Sequence, residues 1–309
     1  MRRLLAVAML LTFGSGAHAQ QIDFKRESRS GDEKLAFRWR DADKREYVTA
    51  FTLTKDAIRQ SETAFRDFSL NAMWRVLEGE LRDEAARFGH GTQLTVTRTR
   101  DGLDWSVRGP DPRDSELLMR KLRDRLNRSK KEYLAGYLRH PIDERRIMVD
   151  FPAATSALQG PMTAVARALG ATPGIADNDR ARIALALAFF QEVPYAVLED
   201  KDRQGGDFLP APALLAQNRG DCDSKAVALA AVLRSYAPSR KLVIVTMPDH
   251  AVLAADLPAE PGELTIRSQG RQYVALEASG PALARIGTVA GPTAKYLKEG
   301  RETEIWPLN

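Results

Sequence analysis

The sequence predicts an α+β protein in two domains that meet near residue 151, on three observations. Strand-like and helix-like segments alternate over residues 45–151. From 152 the texture turns to Ala, Gly and Pro, as at a domain border. Beyond 177 a strongly apolar helix, a second helix and three apolar strands follow in order, enough for a further core. At 309 residues the chain also exceeds the usual size of one domain.

Residues 1–19 stand apart from both domains. Arg2 and Arg3, the apolar LLAVAMLLTFG and the small-x-small Ala17-His18-Ala19 read as a secretory signal peptide cleaved near Ala19. The expected address is therefore periplasmic or secreted. The longest later apolar run, ARIALALAFF at 181–190, is too short to span a bilayer. The formal charge of +5, two of it from Arg2 and Arg3, is spread without a basic stripe, which argues against a nucleic-acid partner.

The N-terminal domain is expected over 20–151. After a polar stretch to about 45, REYVTAFTLT (45–54) is strand-like. Leu70, Met73, Trp74, Leu77 and Leu81 then recur at helical spacing. TQLTVTRT and LDWSVRG flank the Asp101-Gly102 turn of a hairpin. DSELLMRKLRDRLNRSKKEYLAGY (114–137) is helical, and RRIMVDF (145–151) is a closing strand. This β-α-β-β-α-β order is that of a ferredoxin-like unit. It holds no chemical cluster: His90 beside Gly91 and His140 before Pro141 read as cap or turn residues.

The second domain, 152–309, opens on PAATSALQGPMTAVARALGATPG, a linker with a short helix. DNDRARIALALAFFQEV is apolar nearly all round, as in a buried helix, and Pro194 ends it. The chemistry lies in NRGDCDSKAVALAAVLRSY (218–236), which holds the chain's one cysteine. Asp221 is a good N-cap, so Cys222 falls in the first turn of a helix, and Ala226, Leu229, Ala230 and Leu233 continue its buried face. A thiol there meets the positive end of the helix dipole and unpaired N–H groups, which favour thiolate and can receive an oxyanion. Asp221 and Asp223 oppose the thiolate by like charge, so a cation is needed nearby.

His250 is the candidate cation and base. It opens the strand HAVLAADL after the strand KLVIVT, and RQYVALEAS (271–279) follows. If the last two strands pair antiparallel, His250 faces Glu277, and a carboxylate there can orient the imidazole. The alternative is a surface histidine at a strand start beside an unrelated glutamate.

The window GDCDSKAVALAAVLRS resembles the cysteine motif of the transglutaminase-like superfamily, in the manner of its bacterial cysteine peptidases. FFQEVPYA resembles the segment that leads into that motif, DHAVLAADL its histidine strand and YVALEAS its acidic strand. The resemblance covers about 180–280 and leaves the first 150 residues aside. It implies a papain-like fold, with a cysteine helix against an antiparallel sheet. It also implies Cys222 as nucleophile, His250 as acid and base and Glu277 as third member, where the family usually has aspartate. Asp256 is the fallback, though it lies about 20 Å along the strand from His250.

The chemistry implied is thiol-dependent acyl transfer on peptide or protein amides, most simply hydrolysis, with cell-wall peptide as one substrate. Transfer to an amine, and a degenerate domain that only binds, are the alternatives. Gln191 at the end of the apolar helix is the candidate second oxyanion donor, and Gln217 the other amide available. The acidic loop with Glu199, Asp200, Asp202 and Asp207 offers oxygens that suit calcium, on which some bacterial relatives depend. Its spacing matches no EF-hand and reads better as a solvated loop, so no cofactor is expected.

Overall fold

The computed structural model describes residues 21–66, 68–89, 91–99, 102–142, 147–198 and 208–308, and the expected signal segment lies outside these. The chain is α+β. It opens with β1 (Asp23–Arg29), β2 (Asp32–Arg40) and β3 (Glu46–Thr54), an antiparallel meander with β2 in the middle. The first two strands occupy the stretch read from sequence as merely polar. Along β2, Leu35, Phe37 and Trp39 are buried while Lys34, Arg38 and Arg40 face outward. Apart from Glu33, which is buried and paired with Arg26, its charge is the outer half of a period-two pattern.

Next come α1 (Lys55–Arg66), α2 (Leu70–Phe88), the hairpin β4 (Gln93–Arg98) and β5 (Leu103–Arg108), and α3 (Pro112–Ala135). Ser69 caps α2 by accepting from the Ala72 N–H, and Asp111 caps α3 by accepting from the Arg113 N–H. Two short strands, β6 (Arg139–Pro141) and β7 (Ile147–Val149), close the segment. The ferredoxin-like expectation is corrected here, because that unit needs one four-stranded sheet. β3 instead pairs with β2, and β4–β5 and β6–β7 form two further sheets of their own. The hairpin lies on α2 and α3 around a small core of Leu81, Ala85, Leu118 and Leu122.

Four helices follow: α4 (Phe151–Gly170), α5 (Asp179–Glu192), α6 (Ala211–Gln217) and α7 (Cys222–Tyr236). The supposed linker is the twenty-residue α4, with Pro161 inside it. Ala154, Leu158, Met162, Val165 and Leu169 are buried at helical spacing, and that packing offsets the hydrogen bond the proline removes. The last sheet, in the order β10-β11-β9-β8-β12, is antiparallel throughout. Its strands are β8 (Leu242–Met247), β9 (His250–Ala255), β10 (Thr265–Ser268), β11 (Arg271–Leu276) and β12 (Glu304–Leu308). α7 packs on one face of it, while α8 (Gly291–Glu299) sets Tyr296 and Leu297 against the other.

The border expected at 151/152 does not separate two cores. One cluster joins Leu35, Phe37 and Leu53 of the first sheet to α4, α5, α7 and the five-stranded sheet. At its heart the Phe189 ring of α5 stands edge-on to Phe37 at 5.1 Å and to Trp39 at 5.6 Å. Burying the apolar face of β1–β3 against these helices is what makes the early strands part of the later core. Among the described residues, no helix is long and apolar enough to cross a membrane.

Candidate functional site

Cys222 is the first residue of α7, placed there by the N-cap Asp221, whose carboxylate accepts from the Ser224 N–H at 3.2 Å. From Ser224 to Leu233 the helix is wholly buried, so its N-terminus is fixed on all sides by packing. The glycine before the cap is sterically required, since a Cβ on Gly220 would come within 2.5 Å of Leu214. The thiol is partly exposed and packs at the edge of the main core. Asp223 also accepts from the Ser224 N–H, at 2.8 Å. Its carboxyl is enclosed although the residue keeps some exposed surface, and burial together with Asp221 pushes its pKa well above the ordinary range.

A two-residue turn, Pro248-Asp249, joins β8 to β9, with Met247 paired to His250. His250 thus begins β9 at the rim of the sheet. β11 pairs with β9 through Leu276–Leu253. Continued past Leu276, that register sets Ser279 opposite His250 and Glu277 two residues along on the same face. His250 and Glu277 are thus cross-strand neighbours on one face, set on a diagonal. The longer arm of glutamate spans the diagonal, and Glu277 Oε2 meets His250 Nε2 at 2.8 Å. The other ring nitrogen, Nδ1, is left for the thiol. Burial would lower the His250 pKa, but hydrogen bonds with Cys222 and Glu277 and the negative charge of both push it up to about 10. Glu277 is itself buried, which would raise its pKa, yet the bonds from His250 and Ser279 hold it below the usual carboxylate range.

Gln191 is buried near the end of α5, and its amide nitrogen donates to Glu277 O at 2.6 Å and to Ala284 O at 3.0 Å. Both amide hydrogens are committed, which corrects its expected role as an oxyanion donor: it is a strut under the segment that bears Glu277. Gly280 lets that segment pass close by, at φ 64°, where a Cβ would stand 2.5 Å from Gln191 O. Gln217 turns away from the site to Glu62, 2.9 Å from its carboxylate. Asp256 lies beyond the far end of β9, where it accepts from the Lys241 N–H at 2.7 Å. His140 sits in β6, edge-on to Trp306, and is not a turn residue. His90 and the acidic residues at 199–207 lie outside the described residues, among which no group of three or more His, Cys, Asp or Glu is placed to hold a metal ion.

Two neighbours of the triad carried no signal that sequence reading used. Lys225, one turn after Cys222, is completely buried. Its ammonium donates to Ser279 O at 2.6 Å and, at still closer range, to Val193 O. Tyr195 is exposed on the segment 194–197, which runs parallel to the approach to α7: Gly220 donates to Pro194 O at 3.2 Å and Ala196 to Gly220 O at 3.0 Å. Burial, with the negative charge of Cys222, Asp221, Asp223 and Glu277, pushes the Tyr195 phenol up to about 12. It stays a neutral donor. A cavity of about 620 Å³ opens elsewhere, between the β2–β3 turn, α5 and the loops at 260–263 and 284–288, and it backs onto Gln191 without including Cys222 or His250.

No family model, no curated protein and no solved structure matches the chain.

Proposed function

We propose that the chain is a thiol-dependent acyl-transfer enzyme acting on amide bonds. In particular, we read it as a transglutaminase-like cysteine peptidase or amidase that works on peptide or protein substrates outside the cytoplasm. One observation carries this reading: an imidazole bonded to Glu277 at 2.8 Å, its other ring nitrogen left for the Cys222 thiol that acts on it electrostatically, with that thiol at a helix N-terminus. In the resting pair the proton sits on His250 and the sulfur is the nucleophile. The thiolate attacks the amide carbonyl, His250 protonates the departing amine, and the thioester is released to water that His250 deprotonates. The oxyanion is met by the Cys222 N–H in the first turn of α7 and by the Tyr195 hydroxyl. Hydrolysis fits the partly open thiol, and an amine in place of water would make the same site a cross-linker. The N-terminal Arg2-Arg3 and apolar run support export.

The test is alkylation of the native protein by iodoacetamide at pH 6, with adducts located by mass spectrometry. Cys222 is expected to react at least about tenfold faster in the wild type than in His250→Ala. Equal rates would mean that the imidazole does not activate the sulfur and would sink the reading. A library of electrophilic peptides, scored by adducts on Cys222, then gives the substrate preference.

A further inference from the structure

The most unusual group in the molecule outside the triad is Lys225. A lysine with no exposed surface is costly, because its ammonium gives up water and a methionine or leucine would fill the same space without that cost. What the lysine supplies is donors, and Val193 O and Ser279 O, the carbonyls it meets, belong to other elements. Val193 follows the last residue of α5, and Ser279 lies two residues beyond Glu277. Side chains on a helix lean toward its N-terminus, so the Lys225 arm runs back from the second half of the first turn toward the level of Cys222. There it meets the two strands of chain that flank the site.

A closed circuit results. Lys225 holds the Ser279 carbonyl, while Ser279 gives both its N–H and its hydroxyl to Glu277 Oε1. Glu277 Oε2 holds His250, the imidazole and the Cys222 sulfur act on one another electrostatically, and one turn of α7 leads back to Lys225. Resting on the catalytic reading above, we infer that Lys225 is a positioning residue, which clamps the Glu277 segment and the end of α5 to the cysteine helix and so sets the bond between Glu277 and His250.

The charged groups acting on Lys225 are Glu277, Asp221, Cys222 and Glu192, all of which favour its protonated form, while burial, the larger effect, pulls its pKa down to about 7. The clamp does not depend on that balance, since a neutral amine still has two N–H groups for two carbonyls. Glu192 is buried at the end of α5 next to Val193, and one of its oxygens has no hydrogen-bond partner. It is the one further carboxyl that faces this pocket of charge from α5.

The experiment follows the His250 ring by NMR through a pH titration in the full chain, assigned by His250→Ala, beside the alkylation rate of Cys222 at pH 6. In the wild type the midpoint is expected near 10. In Lys225→Met it should fall by more than one unit, with alkylation slowed about tenfold, because the released segment no longer holds Glu277 on the ring. A folded Lys225→Met protein with wild-type midpoint and rate would overturn the inference while leaving the triad intact. If that variant does not fold, Lys225→Gln serves in its place. Its shorter arm cannot span both carbonyls, so a midpoint shift in the same direction is expected and an unchanged midpoint overturns the inference. Should His250→Ala alkylate like the wild type, the catalytic reading fails and takes the inference with it.

Discussion

Ser279 donates twice to one oxygen of Glu277, from its backbone N–H at 3.2 Å and from its hydroxyl, and so leaves the other oxygen free for His250. The carboxylate is thus turned and held before any substrate arrives. Three donors on a buried carboxylate explain why it stays ionised where burial alone would protonate it.

Glu277→Gln keeps the shape and removes the charge, and is expected to slow Cys222 turnover about 10²-fold or more, as loss of an orienting carboxylate does. Glu277→Asp should be nearly as slow, because the shorter arm cannot cover the diagonal from its register position to His250. Single-turnover thioester formation with an activated ester measures both. An aspartate variant as fast as the wild type would contradict the register argument.

The two candidate oxyanion donors separate by what each variant loses. Gln191→Leu strips the donors from two buried carbonyls and should lower stability by about 1–3 kcal/mol, seen as a drop in Tm. Tyr195→Phe leaves Tm in place and should lower kcat about tenfold or more with little change in KM. The reverse pattern would return Gln191 to the chemistry.

Stability against pH carries opposite signs from two residues. The folded pKa of His250, about 10, lies above its ordinary 6.5, so its contribution is complete below 6.5 and is lost as pH rises through 10. The folded pKa of Lys225, about 7, lies below its ordinary 10.5, so in the window between them folding gains as pH rises. Each contributes at most about 1.4 kcal/mol per pH unit, and between 7 and 10 they nearly cancel. The wild-type Tm should be almost flat there, rising with pH in His250→Ala and falling in Lys225→Met. Calorimetry from pH 6 to 10 decides it, and parallel curves for all three proteins would show that neither group is shifted.

Phe189→Ala removes the ring on which Phe37 and Trp39 stand, at a cost of about 3–5 kcal/mol. A denaturant titration should show one cooperative transition moved to lower concentration. A separate early phase, with the later core untouched, would mean that the first sheet is independent after all.

The cysteine helix was legible because capping and periodicity agree: Asp221 precedes Cys222, and the apolar residues follow at helical spacing. The histidine and glutamate were legible as strand residues, yet their diagonal offset depends on the β9–β11 register, which no local pattern states. Lys225 was invisible because a lysine in a first turn reads as solvent-facing, and only three-dimensional enclosure makes it otherwise. α4 was hidden by its Gly and Pro residues, whose low helix propensity is overridden by the alanines around them and by tertiary packing. The first two strands of the first sheet were missed where alternating charge masked Leu35, Phe37 and Trp39, and with them went the true extent of the core.

Cys222, His250 and Glu277 lie within 56 residues of one another in sequence, whereas the core against which Cys222 packs runs from Leu35 to Trp306 and Leu308. Contacts between such distant parts of a chain form slowly, since long loops must close before they are rewarded. During synthesis or refolding the sulfur therefore waits in an unfinished shelter, open to oxidants and to other thiols. Reducing conditions during recovery should raise the active fraction.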